Sequence, residues 1–183
     1  MMSETSAEAA RIVAFWKEAG RDKWFLKDHR FDDAFRSEFN DLHWAAARRE
    51  FDHWLETPDG ALALMILLDQ FPRNCFRNTG HMYATDPLAR HYARQAVERG
   101  HDLATEGPIR VFFYLPFSHS ETLADHDIPM QRSIALGEDY EKHAIGHRDI
   151  VARFGRFPHR NTILCRQSTP EEELFIKEGG FSG

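Results

Sequence analysis

The sequence predicts an all-α protein, and three observations carry that prediction. Apolar residues recur at spacings of three and four along most of the chain, the period of a helix with one buried face. Helix-start chemistry repeats, with an N-cap residue followed by Pro at Thr57-Pro58, Asp86-Pro87 and Thr169-Pro170. Strand-like alternation is scarce.

Composition narrows the class further. A chain of 183 residues, 42% hydrophobic and 13% aromatic, can bury one sizeable core, so a single domain over residues 1–183 is expected. A net charge of −6 argues against a nucleic-acid partner, which would favour a basic surface. Cys75 and Cys165 are too few and too far apart for a disulfide framework or a Cys-rich zinc site. The N-terminus lacks the basic-then-apolar pattern of a signal peptide, and the longest apolar run, Ala61 to Leu68, is far short of a membrane span. A soluble cytoplasmic protein with no membrane partner is the expectation.

Taken in order, Thr5 and Glu8 fit a capping box, and Ile12, Phe15, Trp16 and Ala19 form an apolar stripe closed by Gly20. Trp24 and Phe25 precede a helix in which Phe31, Phe35 and Phe39 recur every four residues. Trp44, Ala47, Phe51, Trp54 and Leu55 continue the pattern. The helix Pro58 to Gln70 is apolar on all sides from Ala61 to Leu68, which predicts a central, fully surrounded element. Leu88, Tyr92, Gln95, Ala96 and Arg99 line one side of the next helix, Ala89 and Ala93 another, and Gly100 stops it. Pro108 to Phe117 reads as a short buried helix ended by Pro116, because a lone strand would have no partner. Ser118 with Glu121 fits a further capping box, as does Thr169 with Glu172. Glu138 to Phe154 is the last long helix, with Gly155 as its stop. No linker and no strict 34-residue repeat is visible.

Three motifs carry a family resemblance: Leu67-Leu-Asp-Gln-Phe-Pro-Arg-Asn74, Phe113-Tyr-Leu-Pro-Phe-Ser-His-Ser-Glu121 and Arg153-Phe-Gly-Arg-Phe-Pro-His-Arg-Asn161. Together with Phe15-Trp16, Trp24-Phe25 and Phe31-Asp32, they make the chain resemble a bacterial family catalogued as domain of unknown function 924. Cys165 departs from the pattern, which leads one to expect Gly before the Arg, and this puts the local turn geometry in question. The resemblance implies a fold of paired antiparallel helices, like tetratricopeptide-repeat proteins. It implies no activity.

Function must then be sought in the residues. In the stretch His143 to Asn161, eight of 19 residues are His, Arg or Asp, interleaved with Ile150, Val151, Phe154 and Phe157. His143 and His147 lie one helical turn apart, a metal-pair spacing. No Glu follows His143 directly and no third ligand is placed, so the pair reads as two half-buried histidines and no metal is assigned. Asp149 and Arg153 fit a solvated i, i+4 pair, and Glu121 fits a cap better than a catalytic acid.

Asp69 ends the most apolar helix and needs a cation. Arg73, Arg153, Arg156 and Arg160 exceed what one carboxylate requires, which points to an anion site. Phe71-Pro-Arg-Asn74 and Phe157-Pro-His-Arg-Asn161 echo each other, each expected to end a helix with Arg and Asn turned back over its last carbonyls. If both turns serve one site, the ends of the helices at 58–70 and 138–154 lie together. His119, His143, His147 and His159 are the candidate acids or bases, and Asp69, Arg73, Asn74, Glu121, Arg153, Arg156, Arg160 and Asn161 the candidate ligand contacts. No Gly-rich phosphate loop, nucleophile elbow or reactive-Cys context is present, so no cofactor is assigned. Two functional readings remain: a small anionic ligand bound at helix ends, with or without chemistry, and a helical adaptor holding a protein or peptide partner on exposed faces.

Overall fold

A computed structural model of the protein describes residues 5–181, which contain eleven α-helices and no strand. They are α1 (Ala7–Ala19), α2 (Arg21–Trp24), α3 (His29–Ala47), α4 (Pro58–Met65), α5 (Phe71–Cys75), α6 (Asp86–Glu98), α7 (His101–Ala104), α8 (Leu115–Ser118), α9 (Asp127–Arg132), α10 (Glu138–Phe154) and α11 (Pro170–Lys177), with short 3-10 turns between several of them. The central element is the expected one. Every residue from Ala61 to Leu68 is fully buried, with α1 and α6 packed along α4. Phe15 and Trp16 of α1 meet Phe31 and Phe35 of α3 in a stack of rings with centroids 5.2–5.7 Å apart.

Helix ends follow local chemistry, with corrections. Thr57 caps α4 through the Gly60 N–H, and Thr169 and Glu172 form both bonds of a capping box on α11. Gly155 closes α10 at φ +69°, a left-handed cap. At α1, however, the cap is Ser6, which accepts from the Ala9 N–H, while the Thr5 hydroxyl is taken by Thr57. Asp86 caps nothing, because its carboxylate is held by Arg73. Ser118 ends α8 rather than starting a helix, so Glu121 has no cap to complete. Pro116 sits in the first turn of α8, where its missing N–H is harmless, and the segment before it, Pro108–Phe113, is 3-10. Arg153 pairs with Glu171 and not with Asp149.

The main departure lies below α4. Pro72 does not stop the helix. The chain widens into a π-helical turn over Ile66–Gln70 and then continues as α5. The Phe71 N–H donates five residues back to the Ile66 carbonyl, and Pro72 has no N–H to give, so the Leu67 and Leu68 carbonyls lose their helical donors. Other segments supply replacements: His43 Nδ1–H donates to the Leu67 oxygen at 2.8 Å, and the Thr85 hydroxyl to the Leu68 oxygen at 2.5 Å. His43 Nε2 then accepts from the Nε2–H of His81, at 2.8 Å. Arg73 turns back onto the Asp69 carbonyl as expected, at 2.8 Å.

Candidate functional site

The end of the π turn and the segment after it line a cavity of about 620 Å³. One wall is Gln70, Arg73, Asn74 and Arg77, spaced i, i+3, i+4, i+7. The opposite wall is Tyr140, His143, Ala144 and His147 of α10, at the same spacing. Ser118 and His119 at the end of α8, with His159 and Arg160 from the 3-10 turn Pro158–Arg160, close one end. Trp24, Phe25 and Leu26 lie at the other.

Ion pairs lock the polar end. Asp69 is 1% exposed and accepts from Gln70 Nε2 at 2.6 Å, from His119 Nδ1 at 2.8 Å and from Arg73 Nη1 at 3.2 Å. Burial alone would push its carboxyl up, but Arg73 and these hydrogen bonds hold it well below the usual range. A carboxylate can only accept, so His119 carries its proton on Nδ1 and presents the Nε2 lone pair. Burial, then the nearby Arg73, push the His119 pKa down, so the imidazole is neutral and the low pKa of Asp69 rests on Arg73 and hydrogen bonding. Arg73 also grips Asp86 with two bonds of 2.7 and 2.9 Å.

Arg160 is bound more loosely. Its side chain is 7% exposed, its only carboxylate contact among the described residues is Asp86 at 3.6 Å, and its Nε has no hydrogen-bond partner among them. It lies over the rings of Tyr83 and Phe157, 4.6 and 4.4 Å from their centroids. His159 Nδ1 and the Tyr140 hydroxyl are likewise buried without a partner among the described residues. His147 donates Nδ1–H to the His143 carbonyl at 2.8 Å, and burial pulls its pKa down to about 3. His159 is lowered to about 4 by burial and by Arg160. Phe181 packs against both His147 and His159, with ring centroids 4.8 and 5.1 Å away.

Of the residues singled out in the sequence, Arg73, Asn74, His119, His143, His147, His159 and Arg160 line this cavity, with Asp69 directly behind them. Arg73 and Arg160 share Asp86, so the two helix ends do lie together. Asn74 is turned onto Asp32, which also holds Arg77. His143 and His147 have ring centroids 6.3 Å apart, and no three metal-ligating side chains converge among the described residues.

Glu121, Arg153, Arg156 and Asn161 form a separate network outside the cavity. Arg156 is bidentate on Glu172, which Asn161 also contacts. Arg153 pairs with Glu171, and Arg166 is bidentate on Glu121, which also accepts from the Phe157 N–H. The apparent arginine surplus is therefore corrected: Arg73, Arg153 and Arg156 have matched carboxylates, and Arg160 is the one of the four that is both buried and only loosely paired.

The sequence reading missed Tyr83, Asp86, Arg77 and Tyr140. The recurrence of polar residues at i, i+3, i+4, i+7 over 70–77 and at i, i+3, i+7 over 140–147 was the available signal for Arg77 and Tyr140. Asp86 was masked by an adjacent Pro that suits a helix cap equally well.

No curated protein matches the chain. A solved structure of a protein of unknown function from Agrobacterium tumefaciens is 60% identical, with a TM-score of 0.93, covering 96% of this chain and 100% of that one. The model of a family described as bacterial protein of unknown function, DUF924, matches residues 12–180. The motifs around Asp69, His119 and Arg160 thus sit in a chain that belongs to the DUF924 family.

Proposed function

We propose that the cavity binds a small organic anion, with Arg160 as its anchor and His119 as a neighbouring proton acceptor. The observation that carries this reading is the buried Arg160 guanidinium at the cavity wall, paired only loosely with Asp86 at 3.6 Å. A buried cation without full pairing is costly, and an incoming carboxylate or phosphate would complete it. Asp69 fixes the His119 tautomer, leaving Nε2 to accept a proton from a bound molecule, the arrangement a general base requires. The cavity volume falls in the range typical of small-molecule sites. An adaptor would place these side chains on open helix faces. Their gathering at helix ends around one cavity favours the small ligand.

The test is thermal unfolding in phosphate, sulfate and short carboxylates at fixed ionic strength. Wild type should gain about 2.7 kcal/mol at a hundredfold excess over the dissociation constant, and Arg160→Met should gain nothing. Equal responses in both proteins, or none in either, would refute the anchor.

A further inference from the structure

We infer that the ligand is a monocarboxylate with an apolar tail, its carboxylate at Arg160 and its tail directed along α10 towards Trp24, Phe25 and Leu26. The inference rests on the reading of Arg160 as anion anchor and adds the substrate class.

His119, His159 and Arg160 line one part of the cavity and Trp24, Phe25 and Leu26 another, with Arg21, Asp139 and Lys142 at the rim beside Tyr140, and α10 measures the distance between them. His147 stands at the polar end, with its ring 5.9 Å from His119 and 5.8 Å from Phe157, which also packs on Arg160. Tyr140 stands at the other end, under the guanidinium of Arg21, which also pairs with Asp139 and so ties α2 to the start of α10. Seven residues of helix separate Tyr140 from His147, about 10 Å at 1.5 Å per residue. Between them Ala144 offers only a methyl group, and Val111 and Leu115 add apolar wall.

The aromatic end is open. Phe25 is 56% and Leu26 59% exposed, while Trp24 beside them is buried, and all three line the cavity. Phe25 stacks on Phe112 with centroids 6.1 Å apart, so the exposed ring is held in place. An apolar chain lying there would cover these side chains.

Charge selects the head group. Asp69 and Asp86 already balance Arg73 and Arg160. A doubly charged phosphate would set two more negative charges beside Asp86. A carboxylate brings one, which suits a single guanidinium that Asp86 holds only at 3.6 Å.

Isothermal titration with butanoate, hexanoate and octanoate, and with neutral octanamide, tests this on wild type, Leu26→Asp and Arg160→Met. Affinity should rise with chain length in wild type, by up to roughly fourfold per methylene. Leu26→Asp should reduce that increment, and Arg160→Met should remove octanoate binding. Octanamide should bind at least tenfold more weakly than octanoate. If the three carboxylates bind wild type with equal affinity, the tail inference is overturned while the anion reading survives. If octanamide binds as well as octanoate, or none of the probes bind, both fall.

Discussion

Arg160 and Arg73 share Asp86, yet their roles in stability should be opposite. Arg73 is the main cation for two buried carboxylates. Its replacement by Met would strand Asp69 and Asp86, a loss of about 3–5 kcal/mol. Arg160→Met would remove a buried charge that is incompletely bonded, put an apolar side chain over Tyr83 and Phe157, and leave Asp86 with its two bonds from Arg73. That change should cost less than about 1 kcal/mol. Urea unfolding of the two variants checks the contrast, and similar losses in both would contradict it. The buried histidines give a second test. Burial holds His43 and His159 near 4, whereas in the unfolded chain they take up protons near 6.5. Between these values the unfolded chain binds more protons. Stability is therefore complete above about pH 6.5 and falls as pH drops towards 4, by up to about 1.4 kcal/mol per pH unit for each histidine. Urea midpoints at pH 7.5, 6 and 5 should show this fall, with a shallower slope in His43→Asn. At this scale the sequence identified Arg160 and His119 by type and setting. It could not tell which arginine was incompletely paired, because Glu171, which holds Arg153, reads equally well as a solvated first-turn residue of α11, and Glu172, which holds Arg156, as the partner of Thr169 in a capping box.

The elements were legible where their ends have local chemistry. Helix α10 runs from Glu138 to Phe154 as read, because Gly155 can take the left-handed cap and few other residues can. The π turn was not legible. Its signal, a Pro one turn below a buried apolar run, also reads as a helix stop, and the bonds that sustain the turn come from His43 and Thr85 in distant segments. Thr85→Val would leave the Leu68 carbonyl buried without its hydroxyl donor, and should lose about 1–3 kcal/mol in urea unfolding. A loss below 0.5 kcal/mol would mean that the widened turn does not depend on that bond. Cys165 offers the opposite case. The resemblance led one to expect Gly there, and the residue adopts φ +54°, a conformation strained for any residue with a Cβ. Cys165→Gly should therefore raise the unfolding free energy, by about 1 kcal/mol after the entropy of the added Gly is set against the relieved strain. An unchanged or lower value would show that the turn is not strained.

At the scale of the whole molecule, the site is an assembly of distant segments. Asp69 meets His119 across 50 residues, and Arg160 reaches back to Asp86 across a longer gap still. The periodicity that revealed all the long helices says nothing about which helix ends meet. That information came from chemical need, a buried carboxylate requiring cations, and this was enough to bring the ends of the 58–70 and 138–154 helices together. It was not enough to separate the cavity from the Glu172 network, which draws on the same residue types. The most direct test of the account is a crystal structure of the protein with octanoate bound. One carboxylate should lie within hydrogen-bond distance of the Arg160 guanidinium, with an alkyl chain along Ala144 towards Leu26 and Asp69 still bonded to His119. A structure at saturating octanoate with Arg160 paired only to Asp86 and the alkanoate elsewhere on the surface would contradict it.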